Sequence, residues 1–345
     1  MKTIGLIDVD GHHFPNLCLM KLSAWHKASG DFVEWYSENQ RMYDIVYMSK
    51  VFNDEYTPDM PEPPNARKVI KGGTGYAIKL ENGIEVYHKE LDPPLPKEVE
   101  TIYPDYSLYP EYTGFGQPLK KQTAYGFLTR GCPRGCGFCH VAPKEGRCST
   151  KVADLFQFWN GQGNICLSDP NILACKDSPD LLKQLVDSKA KIDFNQGIDA
   201  RLITPEKAEL LASMNLKTPH FAMDSMQAME PVKRGLKLYV DACKRIKGKW
   251  NWRNGKVFCL TNFDTTHEQD MERIRAIQEC ECWPYVMIYN KQTAPQITRR
   301  LQRWTNSPAC YARTQDFDEY QRFTYKKPPK ERGNQRRFSK IDEKK

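Results

Sequence analysis

A chain of 345 residues, 40% apolar and 27% charged, is too long for one ordinary domain and too apolar for wholesale disorder. No apolar run approaches the roughly 20 residues that span a bilayer, so no membrane partner is expected. The net charge of +8 is unevenly spread: Lys326–Lys345 holds nine Lys/Arg against three Asp/Glu, so the charge says little about the folded body.

In chain order, Ile4–Val9 reads as a buried strand. Leu17–Ala28 reads as an amphipathic helix with Leu17, Met20, Ala24, Trp25 and Ala28 on its apolar face, closed by Gly30. Phe32–Tyr36, Ile45–Met48 and Lys68–Ile70 are further strands, and Tyr76–Leu80 with Ile84–His88 a hairpin around Asn82-Gly83. Residues 1–95 thus form a Rossmann-like α/β unit. Residues 96–122 are a Pro/Tyr-rich linker, which can extend neither a helix nor a central strand.

From 123 to 290 strand and helix alternate. The strands are Tyr125–Thr129, Asn164–Ser168, Lys191–Asn195, His220–Met223, Lys256–Leu260 and Tyr285–Tyr289. Ser178-Pro179 and Thr204-Pro205 each place a cap before proline, and Thr265-x-x-Glu268 reads as a capping box. Six such units predict a parallel sheet curling toward a barrel, with functional groups at the strands' carboxyl ends. Residues 291–325 carry a basic helical extension, Ile297–Trp304, and 326–345 a disordered tail.

The decisive stretch is Thr129-Arg130-Gly131-Cys132-Pro133-Arg134-Gly135-Cys136-Gly137-Phe138-Cys139-His140, placed directly after the first strand of the array. Three cysteines at C-x3-C-x2-C suit a [4Fe–4S] cluster with one iron open to an outside ligand. Zinc would need a fourth ligand from His140 or Cys148, which are poorly placed. A redox dithiol would leave Cys132 without a role. Cys18, Cys166, Cys243 and Cys259 read as small buried hydrophobes. Cys280-x-Cys282 with Cys310 is a weaker candidate for an auxiliary metal site. The N-terminus lacks the features of a signal peptide, and a cytoplasmic location is expected.

The motif Cys132-x-x-x-Cys136-x-Phe138-Cys139 resembles that of the radical S-adenosylmethionine (SAM) superfamily. The likeness covers about 123–290 and implies that family's partial (β/α)6 barrel. It also implies a cofactor pair, with SAM chelating the open iron. One electron then cleaves a carbon–sulfur bond to give a 5′-deoxyadenosyl radical, which removes hydrogen from an unidentified substrate. A reductant protein such as a flavodoxin or ferredoxin is implied as partner. Carried over strand by strand, the SAM contacts are Phe138, then Asp169 and Asn171 for the amine. Asp199 falls at the ribose, Arg201 at the carboxylate, and Asp224 and Ser225 at the fourth strand. Cys259-Leu260-Thr261-Asn262 departs from the family's glycine-rich adenine motif.

The first unit resembles the cobalamin (B12)-binding domain that precedes many such barrels, in degenerate form. Asp10 and His12 match its D-x-H-x-x-G motif, but Pro15 replaces the glycine. Lys71-Gly72-Gly73-Thr74-Gly75 resembles its glycine pair. The unit is short and shows no groove for the nucleotide tail, so cobalamin is not expected to be bound. Two rivals stand beside the radical reading: a zinc-binding nucleic-acid module and a non-catalytic iron–sulfur protein. The tail, with Arg299, Arg300, Arg303, Trp304 and Phe338, is the candidate nucleic-acid contact.

Overall fold

The structure, a computed structural model, describes residues 1–11, 14–82 and 84–325. His12, His13 and the basic tail, Phe338 included, lie outside the described residues. Four strands, β1 (Thr3–Asp8), β2 (Phe32–Trp35), β3 (Ile45–Ser49) and β4 (Val69–Gly72), form a parallel sheet in the order β2-β1-β3-β4. The central strand β1 is covered on both sides, which is why Ile4–Ile7 is a continuous buried run rather than an alternating one.

The helix Leu17–Ala28 begins where the Asn16 side chain accepts from Leu19 N at 3.2 Å, and Gly30 follows it at φ +78°. Its buried residues are Leu19, Met20, Leu22, Ser23 and His26, not the expected stripe. The helix is held from two sides. Leu19 and Leu22 join Ile4 and Leu6 under the sheet, while Met20 enters the core of the following unit. Ser23 Oγ donates to Asp105 at 2.6 Å, and His26 sits between Asp31 and Tyr47.

A hairpin, β5 (Ile78–Glu81) and β6 (Ile84–Tyr87), pairs antiparallel as expected. The Pro/Tyr-rich segment then ties the two units together. Tyr106 OH donates to Phe158 O at 2.5 Å, and Tyr109 OH donates to Asp8 at 2.7 Å. Both rings are buried, because a tyrosine can fill a seam and still place its hydroxyl on an acceptor.

The second unit holds β7 (Thr123–Gly126), β8 (Thr129–Arg130), β9 (Thr150–Lys151), β10 (Asn164–Leu167), β11 (Lys191–Phe194), β12 (Asn215–Leu216), β13 (His220–Ala222), β14 (Lys256–Thr261) and β15 (Trp283–Ile288). Two parallel sheets, β12-β11-β10-β7 and β13-β14-β15, meet at an Ile198–Phe221 bridge. The result is a curved, open array, a partial barrel. Helices Ser178–Ser188, Pro205–Ser213, Met229–Lys247 and His267–Glu279 pack on its outside over the main apolar core.

Thr204 caps its helix as expected, by accepting from Lys207 N. The capping box moves one residue, to Thr266 and Gln269, because the Thr265 hydroxyl is engaged by Asp270 and Arg273. Ser178 likewise lies inside its helix, with Asp177 at the cap.

The C-terminal helix Gln296–Asn306 caps the β15 edge, where Asn306 bonds both Val286 N and Val286 O. Trp304 is fully buried and donates its Nε1 hydrogen to Thr314 O at 2.9 Å. This corrects its expected place in a nucleic-acid contact: the ring is core. No helix among the described residues is long and apolar enough to cross a membrane.

Candidate metal centre and cofactor cavity

The cysteine loop leaves β8 and returns through β9, which pair antiparallel as a short stem. Cys132 N donates to Gly146 O and Cys139 N to Cys136 O, so the loop folds back on itself. Gly131 has φ +85°, and a Cβ there would lie 2.2 Å from Cys148 O; no other residue fits. Glu145 braces the entry, accepting from the Arg130 guanidinium and from Gly131 N, both at 2.9 Å.

All three thiols are half-buried. Burial pushes Cys136 and Cys139 above the usual thiol range, and the neighbouring cysteines push them further. Thiols that act on one another in this way resist ionising together unless a cation joins them. Among the described residues, no three His, Cys, Asp or Glu side chains close on a single-ion site. A cubane takes one thiolate per iron and does not need that closeness, whereas tetrahedral zinc does. His140 turns away to Glu85 at 2.9 Å, and Cys148 is exposed. Cys280 and Cys282 are buried, each thiol donating to a backbone carbonyl, as small core residues do.

Of the expected SAM contacts, Asp169 needs correcting. It is buried, and its carboxylate accepts from Leu128 N, Thr129 N and the Thr129 hydroxyl. It pins the start of the cysteine loop rather than facing its mouth. Asp199 needs a similar correction: it accepts from Arg201 N, the Arg201 guanidinium, Arg134 Nε and Asn171 Nδ2. That saturates the carboxylate's roughly four acceptor positions and leaves little for a ribose. Burial alone would raise its pKa, but the Arg201 and Arg134 guanidiniums hold it below the usual range. Ser225 is also a cap, accepting from Ala228 N at 3.3 Å.

The remaining candidates converge. Asn171 is buried, its Nδ2 lies 3.6 Å from Cys132 Sγ, and its Oδ1 has no partner among the described residues. The Arg201 charge acts on Cys136, as does that of Asp224. Asp224 accepts from Leu260 N, and burial raises its carboxyl above the ordinary value. Buried Arg273 clamps the two strand ends beneath it, donating to Met223 O and Leu260 O.

Phe138 meets Phe263 edge-on at 5.6 Å, and Phe263 meets Tyr289 at 4.8 Å. Sequence reading gave Phe263 and Tyr289 no role, although they lie two residues and one residue past the ends of β14 and β15. Asn262, at φ +59°, adopts the left-handed backbone that a glycine would supply in the family's adenine motif.

Above this loop, a cavity of about 690 Å³ is lined from below by Phe127, Ser168 and Asn195 and from above by Asp8, Ser49 and Gly73. The carboxyl ends of the first sheet and of the β12-β11-β10-β7 sheet therefore open onto one space, the position where such folds take ligands. A second cavity of about 700 Å³ runs from Gly73 between the sheet and the helix Leu17–Ala28, past Leu22, Tyr47 and Ile70 to Leu95 and Val99. The two share Cys18, Ser49, Gly73 and Arg130 along their walls. This is the groove that the short unit was not expected to have. Asp10, by contrast, is bonded to Val51 N and Phe52 N and so ties down the loop after β3.

No family model and no curated protein matches the chain. Solved structures do. A structure of the radical S-adenosylmethionine methyltransferase TsrM from Kitasatospora setae, with cobalamin and a [4Fe–4S] cluster bound, aligns at TM-score 0.56. Identity is 12%, over 83% of this chain and 72% of that one. The chain has the fold of this radical SAM methyltransferase. A second TsrM structure, with tryptophan substrate and a SAM analogue, aligns at TM-score 0.53, again at 12% identity, over 84% and 73% of the two chains. The chain therefore shares that protein's fold: a Rossmann-like parallel sheet followed by an open partial barrel. The expectation that cobalamin stays out is not borne out: a protein of this fold holds it, and the short unit does carry a groove.

Proposed function

We propose that this chain is a radical SAM enzyme with a [4Fe–4S] cluster on Cys132, Cys136 and Cys139. One observation carries the reading: beside the loop of three half-buried thiols, Asn171 reaches Cys132, the Arg201 charge acts on Cys136, and the buried Asn171 oxygen has no partner among the described residues. An orphaned buried acceptor beside a cationic side chain fits the ammonium and carboxylate of an amino-acid moiety. When bound, the cluster and SAM supply one-electron cleavage of a sulfonium carbon–sulfur bond, and the resulting radical takes hydrogen from substrate.

The chain's own residues do the holding. Asn171 Oδ1 accepts from the SAM amine, and Arg201 faces the carboxylate while Asp199 keeps its guanidinium oriented. Phe138, Phe263 and Tyr289 offer flat faces to the adenine. Asp169 and Glu145 fix the loop without touching the cofactor. An electron donor such as a flavodoxin or ferredoxin serves as partner. Reconstituted, reduced protein should release 5′-deoxyadenosine from SAM. Tight SAM binding with no cleavage under strong reductant would overturn the reading.

The joined cavities favour a more specific second reading: cobalamin in the first unit, its tail in the groove beside Tyr47 and Ile70, and methyl transfer as the reaction. Added hydroxocobalamin should then form a one-to-one complex and permit methyl transfer. No complex at micromolar concentrations would remove this reading and leave the first intact.

A further inference from the structure

The inner wall of the partial barrel carries chemistry that the cofactor site does not use. Along β13, β14 and β15, Phe221, Val257, Cys259 and Val286 point outward and are buried under the helices. The alternate positions point inward. Registers place His220 beside Lys256 and Lys256 beside Trp283, with Ala222, Phe258 and Tyr285 as the next row. Ala222 is exposed and Met287 is 47% exposed, so this inner face is unfilled.

The wall is aromatic and cationic. Phe258 contacts His220 at 5.2 Å and Tyr285 at 5.5 Å. The Lys256 ammonium lies over Trp283 and Tyr285, at 5.1 and 4.9 Å from the ring centroids. Among the described residues no carboxylate pairs with it. The nearby acid, Asp193, is engaged by Lys217 at 2.7 Å. Burial and the two lysines hold His220 below the usual histidine range, so it is neutral near pH 7 and can donate one N–H. A half-buried ammonium with two rings and no counter-ion is complementary to an anion joined to a flat apolar body.

We propose that this wall binds the substrate, and that the substrate is an elongated molecule whose aromatic body ends in an anionic group, a carboxylate or phosphate. The anion sits on Lys256 and the ring against the exposed sides of Phe258 and Tyr285. The proposed radical chemistry sets only which end reacts. Lys256 lies six residues below Asn262 on the rim, about 20 Å at ~3.3 Å per residue. The reacting atom is therefore remote from the anchoring charge, and truncated substrates lacking the anion should bind poorly.

The test uses reconstituted full-length protein and the fluorescence anisotropy of four probes: 2-naphthoate, 1-naphthyl phosphate, 2-naphthol and 2-naphthylmethylammonium. The anions should bind at least about tenfold tighter than the ammonium, a difference of about 1.4 kcal/mol. Lys256→Met should abolish that preference and leave 2-naphthol unchanged, and Phe258→Ala should weaken all four. Iron content of both variants checks that they fold. The preferred anion tells carboxylate from phosphate. Equal binding of all four probes, no binding of the anions, or an unchanged preference in Lys256→Met overturns the proposal. None of these outcomes bears on SAM cleavage, which the radical reading answers separately.

Discussion

The Asn171 amide nitrogen lies 3.6 Å from Cys132 Sγ, while its carbonyl oxygen is buried with no partner among the described residues. One side chain would thus reach a cluster on Cys132 with its donor and leave its acceptor for SAM. A hydrogen bond to a cluster thiolate favours the reduced, more negative state. Asn171→Leu should keep about four irons per chain but lower the midpoint potential. A bond worth about 1 kcal/mol corresponds to a shift on the order of 40 mV for one electron. SAM affinity should fall about tenfold. A redox titration followed by electron paramagnetic resonance, with SAM binding measured beside it, checks both; an unchanged potential contradicts the contact.

Alanine at Cys132, Cys136 or Cys139 should abolish the cluster, while alanine at Cys148 should leave it whole. The first three share one half-buried loop and act on one another's ionisation, and Cys148 is exposed. Iron and sulfide analysis decides this. Retention of full iron in Cys136→Ala contradicts the ligand set.

Asp169 should matter for stability rather than SAM affinity. Burial raises its carboxyl to about 6, with Thr129 and Leu128 opposing the rise. Because the folded value lies above the unfolded one, the folded state binds the extra proton between about pH 4 and 6. Its contribution therefore grows as pH falls through 6 and is lost as pH rises. Asp169→Asn should flatten that part of the stability profile. Asp169→Ala, which leaves buried donors unmet, should cost about 2–4 kcal/mol. Denaturation at pH 5 and pH 7 separates the variants. A large loss of SAM affinity without loss of stability would restore the amine-binding role.

Ile70→Trp should fill the groove beside the first sheet, which Ile70 lines. Hydroxocobalamin binding should be lost while iron content is unchanged. Undiminished binding would place the tail elsewhere.

Much of this was legible in the sequence because the signals are local. Gly131 beside Cys132, Asn16 before its helix and the apolar runs of β10 and β14 act within a few residues. The failures are of a different kind. Asp169 meets Thr129 across 40 residues, and Asp199 collects Arg134 from the cysteine loop 65 residues away. A polar residue at a strand end looks the same whether it points to a ligand or to a neighbouring loop. The helix Leu17–Ala28 misled because it is packed on two sides, which blurs a single apolar stripe. Trp304 read as a surface aromatic because its basic neighbours are exposed, yet the ring points inward.

The central claim is an open-iron cluster that SAM chelates. It is tested most directly by electron paramagnetic resonance of the dithionite-reduced protein, recorded with and without SAM. The account predicts a [4Fe–4S]+ signal whose g-values change when SAM is added and which is absent in Cys136→Ala. A reduced cluster whose spectrum is indifferent to saturating SAM, or a colourless protein holding zinc, would contradict it.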